Sequence, residues 1–555
     1  MKVRYMPLIA AVSLLAASVS CGKNSKEDHT DTFISPKVVS ADGGTYSLPV
    51  SYDLSEIFPL LDKNYVDRVC KAAGTDSSAK SLGSIWFGEN IFGAELASVV
   101  YFEKHLADLS DDEWAMLAKI AAEPKRYSAA LYGDAESMDI SIHGKYASRI
   151  SENAYFDAMT EEIVGDIISA KRCTRDEAFS LIYSGGVTIE TPFSYDIQSA
   201  VDEIYGDTAF FSDNSSQGIP QSACAVMDYE GNVLALAGGN NNNTAYNRAY
   251  RIPHSTGSSI KPLSVYAPAI QADVINFSSL VSDTPMTDAG TDMAWPRNYN
   301  RIYDGDITVT YALRQSKNTV PVKLVTDMGV DRCFDYLYNE LEFDTLTDND
   351  RSPASLALGY LEEGVPLTKL CAAYEMFGNG GYVTDPLFYS RVTDAEGNVI
   401  VENSSEQRSI IDGQTSWIMN RLLYYNICKE DGIAGAASLD DGSEVIGKTG
   451  TVDDNSGSDT DRLFVGGTPE YLAAVWIGFD SKGSAIGDME YTPPTVIWKD
   501  IMERVPRSEK TFTPDESIVE ADYCIESGGL ANDNCGSVEK GYYKPDNMPP
   551  ECDRH

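Results

Sequence analysis

The sequence is poor in basic residues and in long apolar runs, and each shortage excludes a class of protein. Its 555 residues hold 43 lysines and arginines against 84 acidic residues, a formal net charge of −41. A nucleic-acid partner is excluded, because phosphate binding depends on clustered lysine and arginine. Beyond the N-terminal region, no apolar run has the length of a membrane-spanning helix. We therefore expect a large globular chain of more than one domain.

Residues that bind metals are also scarce. The chain has five histidines and ten cysteines, and no two cysteines have the C-x-x-C spacing of a zinc site. We therefore predict no metal and no cofactor. Cys524, Cys535 and Cys552 lie near one another in the sequence, and they predict one disulfide in an oxidising compartment.

The first residues have the pattern of an export signal. Lys2 and Arg4 precede an uncharged apolar run from Met6 to Ala17, which is short for a membrane span. Small residues then lead to Cys21, and this resembles the cleavage box of bacterial lipoproteins, which implies a lipid on Cys21. Ordinary signal cleavage, with Cys21 as a bystander, is the alternative. We expect an exported chain that is lipid-anchored to the cell membrane and faces the periplasm or wall space.

Composition and periodicity divide the chain into segments. We predict a signal peptide over 1–20, a lipid-anchored polar tether over 21–50, a smaller, mostly helical domain over 51–195, an α/β domain over 196–506 and a loop-rich, cysteine-bearing tail over 507–555. Ser110, followed by acidic residues and apolar spacings of three and four, predicts a helix to Ala122. A second helix is predicted over 152–170, and strands are predicted at 223–228, 233–237, 464–466 and 472–477.

Three short motifs follow one another in the α/β segment and indicate acyl-transfer chemistry. They are Ser258-Ser259-Ile260-Lys261, Ser316-Lys317-Asn318 and Lys448-Thr449-Gly450-Thr451. If Ser258 opens a helix, Lys261 lies one turn later on the same face. Its amine can then take the serine proton, provided that burial lowers its pKa. Each motif alone is common in helix starts and loops, and only the three in this order are specific.

The second and third motifs supply groups that such a serine needs. Ser316 offers a hydroxyl that can relay a proton, and Asn318 offers a side-chain amide that can hold a substrate carbonyl. Lys448 offers a positive charge to a peptide carboxylate, with the two threonine hydroxyls of its motif beside it. Because Gly450 has no side chain, a substrate backbone can lie along this predicted strand by β-augmentation.

The sequence around the motifs resembles the class A penicillin-binding proteins over about 218–505. The matching strings are Asn247-Arg248-Ala249, 254–262, Asn298-Tyr299-Asn300, 312–321, 357–365, 377–381 and 461–469. The resemblance implies a transpeptidase domain with a central antiparallel sheet and flanking helices. It also implies that Ser258 attacks the D-Ala-D-Ala bond of peptidoglycan stem peptides and is acylated by β-lactams. The N–H groups of Ser258 and Thr451 would form the oxyanion hole.

The helical segment resembles the late part of the glycosyltransferase domain of the same family, over 85–97, 101–104 and 109–128. The family's E-D-x-x-F-x-x-H-x-G motif, which carries the catalytic glutamate, is not found in the sequence. The resemblance therefore implies a truncated glycosyltransferase domain without its polymerase activity. A separate glycan polymerase is then expected as a partner.

The preferred interpretation is a D,D-transpeptidase that cross-links stem peptides. A D,D-carboxypeptidase is the first alternative, because it needs the same serine and lysine and differs only in using water as the acceptor. A second alternative is not enzymatic: a penicillin-binding sensor, or a scaffold for cell-wall enzymes.

Overall fold

The computed structural model describes most of the chain after residue 32. The described residues are 33–34, 37–47, 51–52, 58, 61–78, 81–82, 85, 87, 93–102, 104, 106–124, 154–182, 187–206, 220–240, 247–287, 294–454, 457–486 and 493–555. The predicted signal peptide and Cys21 lie outside them. Among the helices of these residues, none combines the length and the apolar character needed to cross a bilayer.

The described part of the chain contains both helices and strands. The α-helices are α1 (Lys63–Ala73), α2 (Ala94–Phe102), α3 (Asp111–Ala122), α4 (Ala154–Lys171), α5 (Arg175–Ile182), α6 (Tyr195–Gly206), α7 (Ala267–Gln271), α8 (Val309–Arg314), α9 (Thr319–Met328), α10 (Val330–Asp335), α11 (Pro353–Leu358), α12 (Leu367–Ala373), α13 (Gly413–Cys428) and α14 (Pro494–Arg504). The strands are β1 (Phe33–Ile34), β2 (Lys37–Ser40), β3 (Thr45–Ser47), β4 (Ser51–Tyr52), β5 (Thr188–Thr191), β6 (Gln221–Met227), β7 (Val233–Ala237), β8 (Pro253–His254), β9 (Leu280–Asp283), β10 (Met286–Thr287), β11 (Ala294–Trp295), β12 (Gly305–Thr308), β13 (Val365–Pro366), β14 (Tyr382–Val383), β15 (Arg391–Thr393), β16 (Val399–Glu402), β17 (Arg408–Ser409), β18 (Ile446–Asp453), β19 (Asp459–Gly467), β20 (Leu472–Gly478), β21 (Val519–Cys524) and β22 (Val538–Tyr543).

The chain divides into two compact units. The first takes residues up to Tyr195 together with 242–245 and 387–404, and the second takes 196–241, 246–386 and 405–555. The sequence-based division differs from this in two places. Residues 387–404 belong to the first unit, and the tail from 507 shares the second unit with the α/β segment.

The first unit combines helices with a small mixed sheet. Helices α1, α2 and α3 share a core that contains Val69, Tyr101 and Leu117. The predicted helix at 110–122 is confirmed as α3, and Ser110 forms a capping box with Glu113 at its start. Beyond the predicted helices, this unit contains a five-stranded sheet in the order β16-β15-β5-β2-β3.

The second unit is built on a five-stranded sheet in the order β18-β19-β20-β6-β7, in which every neighbouring pair is antiparallel. Helices α6 and α14 cover one face, with Trp498 packed edge-on against Phe464. Helix α12 packs against β6 and β20. The α/β fold class, the central antiparallel sheet and the predicted strands of this unit are therefore confirmed.

Most of the tail lies in turns and irregular segments, as its proline and glycine content predicts, but it also contains a hairpin. Strands β21 and β22 pair as an antiparallel ladder. Tyr523 and Tyr543 are fully buried, and Phe277 meets Tyr523 and Tyr542 edge to face at 6.2 and 5.4 Å between ring centroids. The hairpin was not predicted because it is stabilised by aromatic packing against a distant part of the second unit.

Candidate active site

The first motif forms a tight turn against the edge of the central sheet. Gly257–Ile260 is a 3-10 helix, and the N–H of Lys261 donates to the carbonyl oxygen of Ser258. Side chains three residues apart lie above one another in such a helix, so Ser258 and Lys261 lie on one side. Ser258 is half-buried, whereas Lys261 is fully buried.

Two glycines allow this turn to lie directly against β18. A Cβ atom on Gly257, which has φ +51°, would lie 2.4 Å from the carbonyl oxygen of Thr451. A Cβ atom on Gly450 would lie 2.3 Å from the carbonyl oxygen of Thr256. Any larger side chain at either position would push the turn and the strand apart. The first and third motifs are therefore in backbone contact.

The amine of Lys261 is surrounded by the second motif. Its Nζ atom donates to Oδ1 of Asn318 at 2.7 Å, to the carbonyl oxygen of Ser316 at 2.9 Å and to that of Lys317 at 3.0 Å. Burial, and then the nearby charge of Lys448, lower the pKa of Lys261 well below its ordinary value. The lowered pKa makes it easier for the amine to lose a proton, and the neutral amine, which keeps two of these three hydrogen bonds, is the form that can accept a proton.

The hydroxyl of Ser316 lies between two lysines. Nζ of Lys448 donates to its Oγ at 2.9 Å, and Nζ of Lys261 lies 3.4 Å from the same atom. Ser316 holds the left-handed backbone conformation, with φ +51°, and this conformation is rare outside glycine. Burial lowers the pKa of Lys448 to about 7. A hydroxyl between two amines of lowered pKa can pass a proton from one to the other.

Both ends of the Asn318 side-chain amide already have hydrogen-bond partners. Its Nδ2 donates to the carbonyl oxygen of Arg297 at 2.8 Å, and its backbone N–H donates to Oδ1 of Asn298 at 2.8 Å. With Oδ1 accepting from Lys261, the amide orients the lysine in this structure. To hold a substrate carbonyl, as predicted, Nδ2 would have to give up its hydrogen bond to Arg297 and donate to the substrate instead.

The third motif lies on an edge strand of the sheet. β18 is the last strand of the five-stranded order, and within the described residues only β19 pairs with it. Lys448 and Gly450 are buried, while Thr449 and Thr451 are half-buried. An edge strand presents unpaired N–H and C=O groups, so an extended peptide can pair with it.

A buried network beneath the second motif was missed by sequence reasoning. Asp283 is fully buried and accepts from Nδ2 of Asn298 at 2.7 Å, while Nζ of Lys317 lies 2.9 Å from its other oxygen. Burial alone would raise the pKa of Asp283, but hydrogen bonds from Thr319, Asn298 and Lys317 outweigh it and lower the pKa. Asn298 and Lys317 lie in recognisable strings, whereas nothing in the sequence marks Asp283.

The three motifs therefore meet around one point. Lys261, Ser316, Asn318 and Lys448 are connected by hydrogen bonds, and Ser258 lies on the same side of its turn as Lys261. Thr449 to Thr451 lie on the adjoining strand. This arrangement combines a half-buried serine hydroxyl, two buried amines of lowered pKa and a second hydroxyl between these amines. It is suited to acyl transfer to a serine.

Comparisons with known proteins identify relatives for both parts of the chain. The family model of the penicillin-binding protein transpeptidase domain matches residues 222–480, and the transglycosylase model matches residues 81–140. Penicillin-binding protein 1F of Bacillus subtilis is 28% identical over 479 residues, covering 80% of this chain and 64% of the relative. Penicillin-binding protein 1A of Clostridium botulinum is 30% identical over 506 residues, covering 81% of this chain and 60% of the relative. The chain spans less than two thirds of the length of these two relatives.

Solved structures share the fold. Penicillin-binding protein 1A of Haemophilus influenzae superposes with a TM-score of 0.62 at 18% identity, covering 95% of this chain and 100% of that one. PonA1 of Mycobacterium tuberculosis gives a TM-score of 0.55 at 21% identity, covering 65% of this chain and 95% of that one. The chain therefore belongs to the class A penicillin-binding protein family, with a transpeptidase domain and a truncated glycosyltransferase domain.

Proposed function

We propose that this chain is a peptidoglycan D,D-transpeptidase that acts through an acyl-enzyme on Ser258. The observation that carries the proposal is the buried amine of Lys261, one 3-10 turn after Ser258 and hydrogen-bonded to the second motif. Its lowered pKa makes the neutral form easier to reach, and once it has given up one of its three donated hydrogen bonds the neutral amine would be a suitable general base for Ser258.

The reaction would proceed in two acyl transfers. Oγ of Ser258 forms a bond to the carbonyl carbon of the penultimate D-Ala while its proton passes to Lys261. The C–N bond to the terminal D-Ala then breaks, and the leaving amine takes that proton, with Ser316 as the relay. In the second transfer, an amine of another stem peptide attacks the ester. A new amide forms, its proton returns to Ser258, and the serine is released.

The strand edge would bind the substrate. Pairing with β18 would place the stem peptide across the turn, and the charge of Lys448 would attract its terminal carboxylate. The N–H groups of Ser258 and Thr451 would stabilise the oxyanion. A β-lactam carries a comparable carboxylate and amide, so it would be a covalent inhibitor. PonA1, which shares the fold, has been solved in complex with penicillin V.

Reconstituted cross-linking tests this proposal. The purified chain is incubated with glycan strands that carry pentapeptide stems, and the digested products are separated by chromatography and identified by mass. Cross-linked dimers with release of D-Ala are expected, and Ser258→Ala should abolish both. Ser259→Ala is the matched control, because its Oγ donates to Thr256 within the turn and should leave the dimers detectable. Dimers formed by the Ser258→Ala variant would refute the acyl-enzyme.

The same assay separates the alternatives. Stems that lose D-Ala without forming dimers would identify a D,D-carboxypeptidase, in which water resolves the ester. A chain that is acylated by penicillin but releases no D-Ala would be a sensor or a scaffold. The buried base and relay beside Ser258 favour the transpeptidase over the non-enzymatic role, because a scaffold has no need of a lysine with a lowered pKa.

We further propose that glycan strands come from a separate polymerase. The family's glycosyltransferase motif with the catalytic glutamate does not occur in these residues. In the segment that matches the transglycosylase model, Glu95 is buried and accepts the N–H of Leu106 at 2.8 Å, which is a structural contact. Polymerisation of a lipid-linked precursor by the purified chain alone would contradict this.

An exported, lipid-anchored location fits this role, because the substrate lies outside the cytoplasm. The lipid would be attached to Cys21. Cys21→Ser should release the chain from the membrane fraction and abolish incorporation of a labelled fatty acid, and an unchanged distribution would refute the anchor.

A further inference from the structure

Three thiols of the second unit converge although the sequence separates them. The Sγ atoms of Cys524, Cys535 and Cys552 all lie within 4.8 Å of one another. All three are free thiols, and Cys524 and Cys552 are buried. Over the described ranges this is the one group of three or more potential metal-ligating side chains.

The backbone holds these cysteines in place. Leu530 pairs antiparallel with Tyr523 and parallel with Glu551, so the next residues, Cys524 and Cys552, flank the same short segment. The N–H of Cys552 donates to the carbonyl oxygen of Leu530 at 2.8 Å. The thiols are therefore brought together by main-chain pairing rather than by chance contact of mobile side chains.

The arrangement suits a metal better than a disulfide. A disulfide joins two sulfurs and leaves the third without a partner. In a tetrahedral zinc site, with Zn–S bonds of about 2.3 Å, the sulfurs lie about 3.8 Å apart, and small side-chain rotations would reach this spacing. The N–H of Asn532 already donates to Sγ of Cys535 at 3.4 Å, and such a bond stabilises a thiolate.

The ring nitrogens of His555 lie outside the group of atoms within 4.8 Å, so this side chain would have to turn toward the thiols to supply a fourth ligand. His555 follows Cys552 with two residues between them. Nδ2 of Asn532 lies 3.3 Å from the carbonyl oxygen of Cys552 and 3.5 Å from that of His555, and thus connects the two. Nε2 of His555 lies 3.3 Å from a carboxylate oxygen of Glu526. A carboxylate on one ring nitrogen commonly orients a histidine that binds zinc through the other, which here is Nδ1.

We propose that Cys524, Cys535, Cys552 and His555 form a tetrahedral zinc site. On binding Zn²⁺ the three thiols release three protons, the histidine binds in its neutral form, and no group is oxidised or reduced. The absence of C-x-x-C pairs argued against zinc in the sequence, but ten and sixteen residues separate these cysteines and only the fold brings them together.

The site would stabilise the tail where it supports the candidate active site. Glu539 of β22 lies 3.0 Å from Arg314, the last residue of α8, and Ser316 follows two residues later. The carbonyl oxygen of Gly528 accepts from Ser278 at 2.7 Å. Bound zinc would fix the tail and thereby stabilise the Glu539–Arg314 and Ser278–Gly528 contacts. It would therefore raise the unfolding temperature of the second unit.

Cobalt binding tests the proposal on the full chain. The protein is reduced, stripped with chelator under nitrogen and titrated with Co²⁺. We expect the near-ultraviolet thiolate-to-cobalt band and the visible bands of tetrahedral Co²⁺, saturating at one equivalent and bleached by Zn²⁺. Added Zn²⁺ should also raise the unfolding temperature of the stripped protein.

Variants identify the ligands. Cys535→Ser should lose most of the thiolate-to-cobalt band, and His555→Ala should retain that band but shift the visible bands. Cys428→Ser is the matched control, because this exposed cysteine lies outside the cluster and should leave both unchanged. Failure of the reduced wild-type chain to give tetrahedral cobalt bands would overturn the proposal. It would also be overturned if two of the three cysteines resist alkylation until a reductant is added, since that result identifies a disulfide.

Discussion

Replacing Asp283 with alanine should destabilise the second unit and disturb the second motif. Asp283 is fully buried and lies 2.9 Å from Nζ of Lys317, which is 2% exposed. It also accepts hydrogen bonds from Asn298, from Thr319 and from the N–H of Asp304. The substitution removes one charge of a buried pair and the acceptor of three donors at once.

The expected cost follows from these contacts. Removing one partner of a buried ion pair costs about 3–5 kcal/mol, since the other charge stays buried without compensation. Lys317 keeps its contact with Asp304, whose side chain is 32% exposed, and this reduces the cost. The lost acceptor adds about 1 kcal/mol or more for each donor that water cannot reach. We therefore expect the unfolding free energy to fall by about 3–5 kcal/mol.

Urea unfolding followed by tryptophan fluorescence measures this cost. A loss of that size shifts the midpoint by roughly 1 M or more. The control is Asp306→Ala, an exposed aspartate on the adjoining strand β12, which should change the unfolding free energy by less than about 0.5 kcal/mol. The double change Asp283→Leu and Lys317→Met should lower the unfolding free energy by less than Asp283→Ala alone, because it leaves no unpaired charge buried. A cost below about 1 kcal/mol for Asp283→Ala would refute the reasoning.

Three further predictions concern the site and the first unit. The rate constant for acylation by a β-lactam should fall as the pH rises through about 7, where Lys448 loses the proton that attracts the carboxylate. In Lys448→Arg the side chain stays protonated, so the rate constant should no longer fall with rising pH. A wild-type rate constant that rises steadily across neutral pH would contradict this prediction. Gly450→Ala places a Cβ atom 2.3 Å from the carbonyl oxygen of Thr256 and should slow acylation by about 100-fold, while an unchanged rate would show that the turn tolerates displacement. Ser110→Ala removes the capping box of α3 and should cost the first unit about 1 kcal/mol in a urea titration, whereas Ser110→Asp should restore most of it. An equal loss in both variants would exclude the capping explanation.

The motifs and several helices and strands could be predicted because they depend on residues that are neighbours in the sequence. The helix at Ser110 depends on a cap and an apolar spacing that neighbouring residues supply, and the strands of the central sheet depend on short apolar runs. The spacing of Ser258 and Lys261 likewise predicts their common side, because three residues make about one turn of a helix.

Features that depend on distant contacts were not predictable. The role of Asp283 arises from partners on three later segments, and no pattern around it marks a buried carboxylate. The left-handed backbone of Ser316, which lies between α8 and α9, is not marked by a glycine in the sequence. The tail hairpin depends on packing against Phe277, more than 200 residues earlier. The tail cysteines converge through main-chain pairing of Leu530 with Tyr523 and Glu551, which the cysteine spacing does not reveal.

The most direct test of the central claim is the mass of the chain after brief exposure to benzylpenicillin. Whole-protein mass spectrometry should show the addition of one penicillin, and peptide mapping should place it on Ser258. Lys261→Ala, which removes the base but keeps the nucleophile, should slow this addition by at least about 100-fold. An adduct on any other residue, or an unmodified chain at saturating penicillin, would contradict the acyl-enzyme account.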